Sequence, residues 1–228
     1  MKSKIIVIVI SLVALVSFSA CQKLDVVGNV AKTSFADVLA AIPEQIEPDD
    51  MNKGWSLNAP DQTARFIWSE DYSKSPTHDV MLEFDAKPFM EAGLDINKLE
   101  SGIVVGDKIM LGAKLGKEQL KYKGKITPEA SFNKIVELHR ASIGYHEALD
   151  HYGVDLGNGN KFEWAKDMNK NDKDIVFVVD PEIFIKAGVN PEQVKGWVYA
   201  SVKMKDSSGK PIEVKKFLKP FDLTSKAQ

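Results

Sequence analysis

The chain has 228 residues, 44% of them hydrophobic and 27% charged, with 30 Lys and Arg against 32 Asp and Glu. This composition excludes a disordered chain and supports a folded body with one sizeable core or two small lobes. The slight acidic excess excludes an electrostatic affinity for nucleic acid or anionic lipid.

The N-terminus reads in three parts. Lys2 and Lys4 open it, Ile5 to Val16 is an apolar run broken only by Ser11, and small residues lead up to Cys21. The 16 residues from Ile5 to Ala20 fall short of the about 20 needed to span a membrane. The pattern is that of a secretory signal peptide over residues 1–20. The segment Phe18-Ser19-Ala20-Cys21 resembles the lipobox of bacterial lipoproteins, with Phe where Leu is usual. The resemblance covers the leader alone. It implies cleavage before Cys21, a lipid on that cysteine, and an anchor on the extracytoplasmic face of a membrane in the cell envelope. In a Gram-negative cell, Gln22 in place of Asp favours the outer membrane. Losing Lys2 and Lys4 leaves 28 basic against 32 acidic residues, a net charge near −4.

Cys21 is the only cysteine, so the body has no disulfide, no CxxC site and no thiol nucleophile, and core burial must hold it together. Residues 21–33 are expected to form the lipidated N-terminus and a short tether.

Beyond the tether the chain repeats itself. DVMLEFDAKPFMEAGLDINKL (79–99) matches DIVFVVDPEIFIKAGVNPEQV (174–194) at an offset of 95. Phe66 and Trp68 match Phe162 and Trp164 at 96, and Ser34-Phe35 matches Ser131-Phe132 at 97. Order, spacing and residue type agree, which indicates one unit used twice. The expected fold is α+β: two tandem copies of a helix-strand-strand-helix-strand-strand unit in a pseudo-symmetric body. Repeat unit 1 spans 34–115, a linker 116–130, repeat unit 2 131–218, and a C-terminal tail 219–228.

Within each copy, Ser34 or Ser131 is placed to cap a first helix. The helix ends by Pro43 in copy one and continues to Gly153 in copy two. A strand then carries Phe66 and Trp68, or Phe162 and Trp164, on one face at period two, and a more apolar central strand follows. Asp85 and Asp180 are read as caps of a short helix that Gly93 or Gly188 closes, and Asp95 and Asn190 cap the next turn. Phe66, Trp68, Leu82, Phe84 and Phe89 should be buried in places equivalent to those of Phe162, Trp164, Phe177, Val179 and Phe184.

Reactive side chains gather only between His139 and Tyr152, with Arg140, Tyr145, His146, Glu147, Asp150 and His151 among them. On a helix His139 and His146 share a face, and the His146/Asp150 and Glu147/His151 pairs stand one turn apart, close enough to share a proton or a metal ion. No two of these histidines have the spacing of HExxH, copy one carries Ile42, Asp49 and Gly54 at the matching positions, and a solvated face with paired charges explains the same pattern. No metal or cofactor is therefore assigned. Trp68 and Trp164 belong to the core, whereas Trp55 and Trp197 are less constrained and suit a ligand groove. There is no phosphate loop, GxSxG serine or catalytic triad.

Two readings result. In the first the chain is a membrane-anchored, extracytoplasmic, non-enzymatic binding or interaction module, with a small-molecule or protein partner at the junction of the repeats and no nucleic acid. In the second it is an extracytoplasmic metal-dependent protein or enzyme that uses the His139–His151 segment.

Overall fold

The computed structural model describes residues 20–146, 149–168, 170, 173–205 and 210–222. The first half contains α1 (Ala20–Ala41), β1 (Ile46–Asp49), β2 (Gly54–Asn58), β3 (Ala64–Ser69), β4 (Val80–Asp85), α2 (Lys87–Glu91), β5 (Val104–Val105) and β6 (Lys108–Ala113). The second half contains α3 (Pro128–Leu138), β7 (Ile143–His146), β8 (His151–Gly157), β9 (Asn160–Ala165), β10 (Ile175–Val179), α4 (Glu182–Lys186), β11 (Val198–Lys205) and β12 (Pro211–Phe221). Single 3-10 turns follow each of the four helices in both halves. The strands form two six-stranded antiparallel sheets, ordered β1-β2-β3-β4-β6-β5 and β7-β8-β9-β10-β12-β11.

The fold is therefore mostly β, which corrects the expected α+β unit of helix-strand-strand-helix-strand-strand. Each half has six strands, because the stretches read as the end of a helix or as loop form an additional hairpin, β1–β2 or β7–β8. The helix expected over 131–153 stops at Leu138. Beyond it, Ile143, Tyr145 and Tyr152, with Gly144 and Gly153, favour extended backbone over helix. Ser34 and Ser131 lie inside α1 and α3 and are not their caps; Thr127 caps α3 by accepting from Ala130 N at 3.1 Å. Residues 22–33, expected as a tether, belong to α1, and Ala31 is fully buried. Residue 219, where the tail was expected to begin, lies in β12. Residues 1–19 of the expected signal peptide, Glu147 and residues 223–228 lie outside the described residues.

Alternation along the strands sends Leu57, Phe66, Trp68, Leu82, Phe84, Ile109 and Leu111 of one sheet, and Val154, Phe162, Trp164, Phe177 and Val179 of the other, into one common core. Cross-strand partners share a face of a sheet, and the Phe66–Leu82–Leu111 and Phe162–Phe177 rows obey that rule. Three rings touch their own counterparts: Phe35 stacks on Phe132 at 3.7 Å between centroids, Phe66 on Phe162 at 4.0 Å, and Phe89 meets Phe184 at 4.8 Å. Past them, Asp95 N donates to Ala187 O and Asn190 N to Ala92 O, at 2.9 and 2.8 Å. In a two-fold arrangement only residues on the axis meet their equivalents, so these contacts trace a pseudo-two-fold axis through the molecule.

The halves exchange their helices. α1 packs on β7 and β9 of the second sheet, and α3 on β2 and β3 of the first. Trp68 Nε1 donates to Ser131 Oγ at 2.8 Å and Trp164 Nε1 to Ser34 Oγ at 2.9 Å. Each serine passes the chain on to the carbonyl three residues earlier, Pro128 or Ala31. Trp68 has a second acceptor in Pro128 O at 3.2 Å. These helices sit toward the Trp68 and Trp164 ends of the sheets. α2 and α4 follow β4 and β10 at the opposite end.

Asp95 and Asn190 cap their 3-10 turns through Asn97 N and Glu192 N. The matched acids before the short helices behave differently. Asp180 Oδ1 accepts from Glu182 N at 2.9 Å, whereas α2 has no side-chain cap. Both also pair with a lysine of the strand that flanks the central one: Asp85 with Lys108 at 2.6 Å and Asp180 with Lys216 at 2.7 Å.

Two outcomes are expected from urea unfolding monitored by Trp fluorescence. Ser34→Ala should cost about 1–3 kcal/mol by leaving the buried Trp164 N–H unpaired, and Ser131→Ala less, because Trp68 keeps Pro128 O. Gly93→Ala and Gly188→Ala should each cost about 2 kcal/mol or more. Their φ angles are +104° and +103°, and a Cβ would stand 2.8 or 2.9 Å from the carbonyl oxygen of the other glycine, so a left-handed penalty adds to a clash.

Candidate functional site

The outer face of the second sheet carries a buried acid. Glu163 lies on β9 between the core residues Phe162 and Trp164, so its side chain points away from the core, yet it is only 3% exposed. Its cross-strand neighbour is Gly153, which in turn pairs with Gly144. The two glycines leave a trough over which the Glu163 side chain lies, and a Cβ on Gly153 would come within 3.0 Å of Glu163 Cγ. At the end of the trough His146 Nδ1 stands 3.3 Å from Glu163 Oε2. With the carboxylate ionised, Nδ1 carries the proton and donates.

His146 and His151 face each other across the β7–β8 hairpin. His151 is 2% exposed, its Nε2 donates to Lys173 O at 2.9 Å, and its buried Nδ1 has no hydrogen-bond partner among the described residues. Burial pushes the His151 imidazole below its ordinary value, against the opposing charge of Glu163. Copy one has Gly54, Ile67 and Ser56 at the sites of His151, Glu163 and Gly153, as the matching ladders show. The shared frame therefore does not require this cluster. It can hold and share a proton; among the described residues no three His, Cys, Asp or Glu side chains converge as metal ligands would.

The other candidates separate. His139 is at the C-cap of α3, where its ring packs 5.2 Å from that of Tyr72. Asp150 lies in the hairpin turn at φ +52°; its carboxylate accepts from the Tyr145 hydroxyl and stands 3.7 Å from Lys166 Nζ. The one-turn pairing with His146 disappears with the helix that would have created it. Trp55 pairs with Trp68 across β2–β3 and is partly buried against the core.

Trp197 reaches the seam between the halves. It packs on Phe84 at 4.8 Å and Phe89 at 5.5 Å from the first half and on Phe217 at 6.4 Å from its own. Lys219 lies beside it, its Nζ 5.8 Å from the Trp197 ring and 5.4 Å from that of Phe221. Lys219 pairs with Phe177 just as Leu111 pairs with Leu82, so a lysine points inward where copy one has leucine. Asp61, from the β2–β3 turn of the first half, holds it at 3.3 Å. Burial alone pushes the Asp61 carboxyl up, but hydrogen bonds from Thr63 and the charge of Lys219 bring it below the usual carboxylate range.

On the outer face of the first sheet, Arg65 is held by both oxygens of Glu83 at 2.9 and 3.0 Å and lies 3.3 Å from Asp49. Arg65 and Glu83 border a shallow hollow of about 250 Å³ with Glu47, Asn58 and Lys108. Its principal cation is already neutralised from within.

Glu163, Lys219 and Asp61 were not singled out from the sequence. The signal for Glu163 was present in the repeat, where an acid replaces the apolar Ile67. Lys219 lay past the expected end of the second unit. No family model, curated protein or solved structure matches this chain.

The depressed His151 fixes the sign of one pH dependence. Below about pH 6.5 the unfolded chain takes up a proton that the folded protein refuses. Stability is thus full above that value and falls as pH drops toward the folded one. His78, which burial also lowers, acts in the same direction. His151→Gln keeps a donor for Lys173 O and should flatten, without abolishing, the loss of stability between pH 6.5 and 5, as read from denaturant midpoints.

Proposed function

We propose that this chain is a lipid-anchored protein of the cell envelope, exposed on the extracytoplasmic face of its membrane, and that it works as a non-enzymatic binding or interaction module. The observation that carries this reading is the Lys2/Lys4, Ile5–Val16, Phe18-Ser19-Ala20-Cys21 series, whose chemistry is that of a leader cut before an acylated cysteine. The path of α1 supports it: Cys21 is in the first turn of a helix whose later residues are buried in the body, so a lipid there would hold the sandwich firmly. Among the described residues no helix is long and apolar enough to cross a membrane.

The partner site is proposed at the junction of the halves, beside Trp197 and the Lys219–Asp61 pair. Both halves contribute there, and a partly buried aromatic ring suits a flat small molecule or a protein side chain.

Cys21→Ser tests the anchor. The variant should accumulate as an unprocessed precursor or appear in the soluble fraction, while the parent partitions with membranes and shows a lipid-modified N-terminus by intact mass. A variant that remains processed and membrane-bound would refute the reading.

A further inference from the structure

The structure indicates which side of the body would meet the bilayer. α1 and α3 run in opposite directions: Phe35 stacks on Phe132, while a Cβ on Gly28 would stand 3.6 Å from Val136 Cγ1. Toward its N-terminus α1 therefore passes the C-terminal end of α3. Cys21 stands seven residues before Gly28 on the same helix, about 10 Å at 1.5 Å per residue. An acyl chain on Cys21 begins at headgroup depth, so the end of α3 can be no farther from the lipid than this short rigid arm permits. The chain leaving α3 passes through the 3-10 turn Arg140–Ser142 into β7, an edge strand that also packs against α1.

That stretch has the side chains of a membrane interface. Leu138 is 47% and Tyr145 39% exposed, Arg140 lies between them, and Lys166 Nζ sits 5.5 Å over the Tyr145 ring. Tyrosine partitions to headgroup level, and long basic side chains cover apolar surface while their charge stays in water. The body is weakly acidic, so the contact depends on these apolar and aromatic groups and not on attraction to anionic lipid.

We propose that the segment Leu138–Tyr145 docks on the phospholipid surface, holding the α3 end of the sandwich against the bilayer and the α2–α4 end away from it. This rests on the reading of Cys21 as the lipid anchor. Lipidation consumes the only cysteine thiol, so an added cysteine can be labelled uniquely in the mature protein. Leu138→Cys and Tyr145→Cys, labelled with an environment-sensitive dye and reconstituted as the lipidated full-length mature protein in phosphatidylethanolamine/phosphatidylglycerol vesicles, should show blue-shifted emission. Quenching by headgroup-nitroxide lipid should be several-fold stronger there than at Met90→Cys and Ile185→Cys on α2 and α4. Leu138 is an exposed helix-terminal residue, so its replacement leaves the fold intact even if loss of Tyr145 does not. A lipidated protein whose 138 label stays in water, or whose labels at both ends are quenched alike, overturns the docking alone. An intact mass without lipid on Cys21 overturns the anchor and the docking together.

Discussion

Everything in this molecule is arranged around aromatic rings that press against their own counterparts. Phe35 on Phe132, Phe66 on Phe162 and Phe89 on Phe184 lie on a single pseudo-two-fold line, and both sheets turn their apolar faces toward it. With a single cysteine the chain can form no internal disulfide, so this seam must supply its cohesion by burial alone. Neither sheet could keep its row of phenylalanine and tryptophan in water. The single continuous core is the physical reason the two halves behave as one body.

Against that symmetric frame, the differences between the halves become informative. A position that holds Ile67 in one half holds Glu163 in the other, and one that holds Leu111 holds Lys219. A buried charge costs several kcal/mol unless it is compensated. In each case the structure provides the compensation: a trough of two glycines and an imidazole for Glu163, and an aspartate with two aromatic faces for Lys219. The second half has thus been made more polar at buried positions where the first shows that apolar residues suffice. Packing alone would not drive such a change.

Much of the core was legible from residue spacing. Period-two burial of Phe66/Trp68 and Phe162/Trp164, the glycine stops at 93 and 188, and the turn caps at Asp95 and Asn190 have local causes, and local causes can be read along a chain. The β7–β8 hairpin was not legible in this way. Its residues fit a helical wheel as well as a strand, and the pairing of β8 against β9 decides between them. The counterpart in copy one held the missing clue: Pro48 breaks any helix over 46–57 and is tolerated on an edge strand. The roles of Ser34 and Ser131 were hidden for a different reason. Their partners are tryptophans 130 and 63 residues away in sequence, and no local pattern encodes a hydrogen bond made across a two-fold axis. The candidate site shared that fate, since Glu163 acquires its meaning only from the glycines on the neighbouring strands.

The exchange of helices also sets an order of events during synthesis. α1 is the first described element to be made, yet the sheet it packs on belongs to the second half and includes β9. Until that strand has been made, the helix has no tryptophan to receive and its buried face must wait in solution, or be shielded by whatever holds the nascent chain. Contacts of such long sequence separation are slow to form. The molecule thus closes only when both halves are present, each completing the other's core, so a chain cut between them would leave each six-stranded sheet without the helix that covers it and keep no intact half.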